Sequence, residues 1–239
     1  MKEKIIEFIR KKVNEADVNS VVIGLSGGLD STTVLFLCVD ALGSDRILGL
    51  IMPSRVNKKG DTEDAIRVCE ELKVRYKVIE IDSILECFGK KLDLSDKLVL
   101  GNLMARIRMC ILYYFANKEK MLVVGTGNKS EYLQGYFTLH GDSACDIMPL
   151  VGLYKTEVKK LAGELGIPKK IIEKIPSAGL WVGQTDEDEL GISYGNLDKI
   201  LPLVENGLPI ENIVKKTSID KEKISRVIKR MKNTEFKRK

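Results

Sequence analysis

The residues best equipped for chemistry are contiguous: Gly24, Leu25, Ser26, Gly27, Gly28, Leu29, Asp30 and Ser31. Two adjacent glycines let a chain turn without Cβ hindrance. Ser26 and Ser31 offer hydroxyls, and a helix starting here offers unpaired N–H groups. Together these hold an anionic phosphate. Asp30 would repel a bare phosphate, so its position makes sense beside a divalent cation. A second polar group runs from Gly125 to Glu131. Two carboxylates, Asp30 and Glu131, on neighbouring loops suit a magnesium ion bridging nucleotide phosphates; a raised-pKa acid pair is the alternative. Lys155 and Arg106 are candidates to neutralise phosphate charge, and Thr126 and Ser177 to hydrogen-bond a nucleotide. Neither Gly-x-x-x-x-Gly-Lys-Ser/Thr nor Gly-x-Gly-x-x-Gly is present in this loop. The plainer reading is a glycine-rich turn with an aspartate at a helix start.

The elements that must position these groups follow from apolar periodicity. A helix is predicted over 1–17 and a strand over 20–25, leading into the loop. A helix follows, ending at Leu42-Gly43. Strands are predicted over 47–52, 76–81 and 121–124. A helix containing Ala65, Val68, Cys69 and Leu72 and a long helix over 98–117 separate them. Short strands alternating with helices imply a parallel sheet with right-handed crossovers and helices on both faces, a three-layer α/β fold. Ligands in such sheets bind beyond the carboxyl ends of the strands, where the signals collect. Residues 132–152 read as an irregular active-site wall containing the only histidine, His140. As a lone residue, His140 reads as a surface or hydrogen-bonding group. Further helices are expected over 155–165, 169–174 and 194–201. Ile224, Val227, Ile228 and Met231 mark a last one, capped by Ser218 or Asp220. The acidic run around Asp186 reads as a solvated turn and helix start.

Composition narrows the class. The 239 residues are 44% hydrophobic, enough for one sizeable core. No run of 18 apolar residues occurs, and Met-Lys-Glu-Lys at the start is unlike a signal peptide, so a cytoplasmic location without a membrane partner is expected. Five cysteines without Cys-x-x-Cys fit a reduced compartment, mostly as packing residues. The net charge of +5 is uneven: residues 211–239 hold 11 basic against 4 acidic residues, a local +7. That tail suits nucleic acid, a membrane surface or closure over a phosphate-bearing ligand, against a plain solvated helix face. Few aromatics interleave, so no nucleic-acid partner is expected. One domain spanning 1–239, with a basic helical segment at 211–239, is the simplest organisation.

The Ser-Gly-Gly-Leu-Asp-Ser loop resembles the pyrophosphate loop of the ATP-pyrophosphatase superfamily, which cleaves ATP between its α and β phosphates. Further stretches resemble the ammonia-dependent NAD synthetase family more narrowly. They include Gly101 to Arg106, Gly125 to Glu131, Gly135 to Thr138, Asp146 to Leu150, Leu153 to Thr156, Pro176 to Trp181, Gln184 to Glu187 and Gly191 to Tyr194. Order and spacing fit along nearly the whole chain. The resemblance implies an adenine nucleotide α-hydrolase-like, Rossmann-like fold and a homodimer whose substrate site lies at the subunit interface. It implies a ligase joining ammonia to deamido-NAD, with ATP cleaved to AMP and pyrophosphate through an adenylated carboxylate and no protein nucleophile. On that resemblance Gly24 to Ser31, Thr126, Lys155 and Ser177 would bind ATP, and Asp30 and Glu131 would hold magnesium. Arg106, Leu139, Asp146, Phe236 and Lys237 would contact deamido-NAD. Leu139 stands where the family often has lysine, and Phe236 where it often has histidine. No stretch resembles a glutaminase, so free ammonia is the expected nitrogen source. The alternatives are an amidating or thiolating ligase of the same superfamily with a different acceptor, and a nucleotide-binding regulator.

Overall fold

A computed structural model describes residues 1–238. Four short strands, β1 (Ser20–Gly24), β2 (Ile47–Ile51), β3 (Arg75–Val78) and β4 (Met121–Val124), form one parallel sheet in the order β3-β2-β1-β4. The register pairs Val22 with Leu48 and with Val123. The first sequence step moves from β1 to β2 and the order reverses between β1 and β4. The carboxyl ends of β1 and β4 therefore flank the switch point, where an open α/β sheet receives ligands.

Alternation along the strands builds two cores. Val21, Ile23, Ile47, Ile51 and Val124 face α1 (Lys2–Glu15), α2 (Leu29–Leu42), α3 (Lys59–Glu71) and α7 (Lys155–Glu164). Val22, Leu48, Leu50 and Val123 face α4 (Asp82–Gly89) and α5 (Lys97–Glu119). Buried aliphatic residues on both faces explain why these strands read as near-continuous apolar runs. Each fully buried Val, Leu or Ile contributes about 1.5–3 kcal/mol of transfer free energy.

α5 is 23 residues long, and its most apolar window has a mean hydropathy of 1.3. By length and composition it could cross a membrane, which the sequence reading did not anticipate. Its Met104, Ile107, Phe115 and Ala116 instead pack on the sheet, while Leu98, Val99 and Tyr114 stay exposed.

A third core joins α10 (Tyr194–Glu205), α11 (Ile210–Thr217) and α12 (Lys221–Asn233). Asp220, one of the two proposed caps, accepts from the N–H groups of Glu222 and Lys223. Ser218 instead takes a left-handed conformation that ends α11. Cys38 and Cys69 are buried, as expected of packing residues, and burial pushes both thiols up to about 12; Cys110 is exposed.

Candidate active site

The phosphate loop begins where β1 stops. The Leu25 N–H donates to Leu50 (2.8 Å), so the loop leaves the sheet still anchored to β2. Gly27 has φ +75°, a conformation that favours glycine, and a Cβ there would overlap the Asp61 carbonyl. Gly28 then caps α2. Ser26 and Ser31 hydroxyls lie 3.1 Å apart, and the Ser26 N–H donates to Ser31 Oγ (3.3 Å). The side chains expected from sequence to face phosphate thus shape one small loop at a helix N-terminus. Leu29 packs against the apolar core behind it.

From β4, Gly125 to Asn128 leads into α6 (Lys129–Gln134). Asn128 and Glu131 form a reciprocal cap: Asn128 Oδ1 accepts from the Glu131 N–H (3.1 Å), and Glu131 Oε2 accepts from the Asn128 N–H (3.2 Å). Asn128 also donates to Asp30 Oδ1 (3.3 Å). This leaves Glu131 Oε1 for Lys155 Nζ, at 3.2 Å. The same ammonium bonds Asp30 Oδ2 and lies 5.1 Å from the centre of the Tyr194 ring.

Three residues singled out from sequence, Asp30, Glu131 and Lys155, thus meet at one point across 125 residues. Lys155 has only 8% side-chain exposure. Burial disfavours its charge, but the two carboxylates outweigh this and raise its pKa. Burial pushes the Glu131 carboxyl up to about 7, with Asp30 adding to the rise and Lys155 opposing it.

The donor set bears on magnesium. Asp30 and Glu131 each present a carboxylate oxygen to one cationic nitrogen, so the two oxygens already converge on a point that holds positive charge. Among the described residues, no group of three His, Cys, Asp or Glu side chains is placed to hold a metal. Magnesium keeps waters and substrate phosphates as ligands and needs only one or two carboxylates. The pair therefore fits magnesium arriving with a nucleotide, rather than an all-protein metal cage.

Sequence reasoning missed two parts of this centre. Asn128 was legible as an Asn-x-x-Glu capping signal before a helix. Asp186, read from sequence as a solvated turn charge, is 3% exposed. It accepts from the hydroxyls of Tyr136 and Tyr194 (3.1 Å each), two tyrosines supplied by other elements. No local signal announces that burial.

The wall over 132–148 meets the C-terminal tail around a recess of about 250 Å³. Tyr132, Phe137, Leu139, His140 and Met148 line it together with Lys237 and Arg238. Lys237 Nζ donates to the Gly135 and Phe137 carbonyls (2.9 Å each) and lies over the Phe137 ring. Arg238 Nη1 donates to the Leu133 carbonyl (2.9 Å). A smaller recess continues to Gly127, Asn128, Glu131 and Asp142. Tyr132, Phe137 and Met148 line both recesses.

The remaining expected residues are distributed unevenly. Arg106, on exposed α5 surface, donates to the Leu139 carbonyl (3.2 Å) and so reaches the wall. Asp146 does not line the recess: it accepts from the Val123 N–H (2.7 Å) and the Tyr113 hydroxyl (3.1 Å), extending the sheet edge beside β4. Phe236 is 61% exposed. Thr126 lies in the β4 loop, half-buried, and Ser177 is exposed, its Oγ accepting from the Gly179 N–H (3.1 Å).

The NAD synthase family profile matches residues 1–239. An NH(3)-dependent NAD(+) synthetase from Methanocaldococcus jannaschii is 55% identical over 98% of this chain and 92% of its own. Among solved structures, an NH3-dependent NAD synthetase from Campylobacter jejuni superposes with a TM-score of 0.85 at 37% identity, covering 100% of this chain and 94% of that one. An NMN synthetase from Francisella tularensis gives 0.86 at 34%, with the same coverage. A chain matched end to end by the family profile, and sharing more than half its residues with one relative, belongs to the NAD synthase family.

Proposed function

We propose that this enzyme amidates the carboxylate of deamido-NAD with ammonia, giving NAD while ATP is cleaved to AMP and pyrophosphate. The observation that carries this is the meeting of Asp30, Glu131 and Lys155 beside a phosphate loop, in a chain of this family. A carboxylate resists amide formation because oxide is a poor leaving group. Its oxygen attacks the α phosphorus, pyrophosphate departs, and a mixed anhydride remains. Ammonia then attacks the acyl carbon, loses a proton, and AMP leaves with the former carboxylate oxygen. No protein nucleophile is needed; the work is positioning and charge stabilisation.

Gly24 to Ser31 and the start of α2 take the phosphates in this reading, with Thr126 and Ser177 contacting the nucleotide. Asp30 and Glu131 would hold magnesium, which supplies charge neutralisation on the phosphates. Lys155 would turn from these carboxylates toward ATP phosphate when the cation takes its place. Lys237, Leu139 and Arg106 would form the deamido-NAD side with Asp146 and Phe236. Asp146 and Phe236 reach substrate only if the partner subunit or bound substrate brings it to them. Exposed Leu98, Val99 and Tyr114 on α5 support a homodimer as apolar surface that a second copy would cover. The reading takes 1–239 as one catalytic unit in the cytoplasm and requires neither membrane nor nucleic acid. The tail cations bonded to the wall support counting 211–239 within that unit.

The likeness to an NMN synthetase favours one second reading, in which the acceptor is the mononucleotide. Product formation decides between them. Purified protein with MgATP and ammonium is offered deamido-NAD or nicotinate mononucleotide, with glutamine replacing ammonium in parallel. NAD from deamido-NAD with ammonium alone, one AMP per NAD, is expected. Amidation of the mononucleotide only would replace this reading with the second, and equal use of glutamine would refute ammonia dependence.

A further inference from the structure

Behind the phosphate loop lies a second charged cluster that the proposed chemistry does not use. Lys174 follows α8 (Lys169–Ile172) and is 147 residues from Gly27. Its ammonium donates to the Gly27 carbonyl (2.7 Å) and to Asp61 Oδ1 (2.7 Å), and lies 2.8 Å from Asp64 Oδ2. Two of its donors make hydrogen bonds, and the buried Asp64 Oδ2 is an ion-pair partner without one. Asp64 is 3% exposed, and its other oxygen accepts from Lys170 (2.8 Å). Asp61 and Asp64 belong to α3, whose first turn leaves no room for a Cβ at Gly27.

The direction of one peptide plane links this cluster to the nucleotide. In a planar trans peptide, the carbonyl of one residue and the N–H of the next point opposite ways. Lys174 draws the Gly27 carbonyl backward, toward α3. The Gly28 N–H must then point the other way, where it meets Ser26 Oγ at 3.3 Å on the open side of the loop. If the Gly27–Gly28 peptide flipped, a carbonyl oxygen would face the bound phosphates instead of a donor. Lys174 also stands three residues before Ser177, at the start of the segment 174–179. Asn57 fastens the far side of that segment, donating to the Gly179 carbonyl (2.9 Å).

We infer that Lys174 is a positioning residue for the pyrophosphate site, fixing the Gly27–Gly28 peptide so that its N–H faces the leaving group. This rests on the reading of the loop as the ATP phosphate site. Lys174 touches no reacting atom, so its removal acts through the loop.

The test measures binding of magnesium pyrophosphate and of AMP by calorimetry in wild type, Lys174→Met, Lys174→Arg and Lys170→Met. Failure of wild type to bind pyrophosphate and AMP would remove the functional reading itself. With wild type binding, Lys174→Met is expected to weaken pyrophosphate about tenfold, as for a lost charge-assisted bond, and to leave AMP affinity unchanged. Lys170→Met, which leaves the Gly27 bond in place, should bind both as wild type does. Unchanged pyrophosphate affinity in folded Lys174→Met, or parallel loss of both ligands, overturns the proposal. Should Lys174→Met not fold, Lys174→Arg decides. Its longer, planar head misplaces the carbonyl bond while keeping the charge, so a smaller but selective pyrophosphate loss is expected. No selectivity there overturns it equally.

Discussion

The charged centre and the wall-and-tail recess are built on opposite principles. At the centre, side chain meets side chain: Asp30 and Glu131 share Lys155, two carboxylates around one ammonium in one enclosed group. At the recess, side chain meets backbone: Lys237 and Arg238 satisfy carbonyls of residues 133–137. The first arrangement depends on residue identity at every corner. The second depends on the path of the chain and tolerates change in the wall's side chains. Chemistry should therefore break at the centre and substrate affinity should bend at the recess.

The largest effect is expected from Asp30→Asn. It removes a charge at the phosphates, and kcat should fall by about 100- to 1,000-fold, the range for loss of one preorganised electrostatic group. Rates of AMP release measure this directly. Lys155→Met sharpens the point by separating two functions. It should lower turnover too, yet it clears a cation from between Asp30 and Glu131. Magnesium binding without nucleotide should therefore tighten, as titration calorimetry would register. Looser magnesium binding in this variant would contradict the exchange of ammonium for metal.

At the recess, Lys237→Met should raise KM for deamido-NAD by about tenfold, with kcat and KM for ATP little changed. A fall in kcat equal to that of Asp30→Asn would erase the contrast between the regions.

Much of the centre was readable in the sequence because its parts are local motifs. The Ser-Gly-Gly-Leu-Asp-Ser loop is contiguous, and the Asn128–Glu131 cap spans one helical turn. Lys155, Asp30 and Glu131 came together because parallel topology sends their loops to the same end of the sheet. The recess was less readable. Carbonyl oxygens carry no residue identity, so nothing in the sequence says that Lys237 would bond Gly135 and Phe137. Asp186 was misread for a related reason: its tyrosine partners are 50 and 8 residues away, and only tertiary packing buries it. Asp146 shows the reverse case, since a residue that the resemblance assigns to the substrate is occupied along the sheet edge. The strands and most helices were placed well; β3 ends three residues before the predicted limit at Ile81, α4 and α6 have no expected counterpart, α6 running into the stretch read as irregular wall, and α11 was not separated from the last helix.

Proton linkage offers a smaller test of the centre. The Glu131 carboxyl is held up, near 7, in the folded protein, against an ordinary value of 4.5. Its contribution to stability is present below 4.5 and is lost as pH rises through about 7, because the folded state holds the proton more tightly. Without magnesium, wild-type Tm should therefore drop relative to Glu131→Gln between about pH 5 and pH 8. Magnesium needs the ionised carboxylate, so its apparent affinity should rise over the same interval. A Tm difference independent of pH would contradict the enclosed, proton-bearing Glu131. The smallest effect is expected from Leu139→Lys, which adds a cation to a recess already bordered by Lys237 and Arg238. KM for deamido-NAD should fall by no more than about threefold, with kcat unchanged, as for one partly exposed charge.

The central claim is that a carboxylate is activated by transfer of the AMP moiety. Isotope transfer tests it without any variant. Deamido-NAD carrying 18O in its nicotinate carboxylate is turned over with MgATP and ammonium, and the products are weighed by mass spectrometry. One 18O atom in AMP and none in pyrophosphate is the predicted result. Label found in pyrophosphate or in inorganic phosphate, with AMP unlabelled, would contradict attack at the α phosphorus and with it the account of the site.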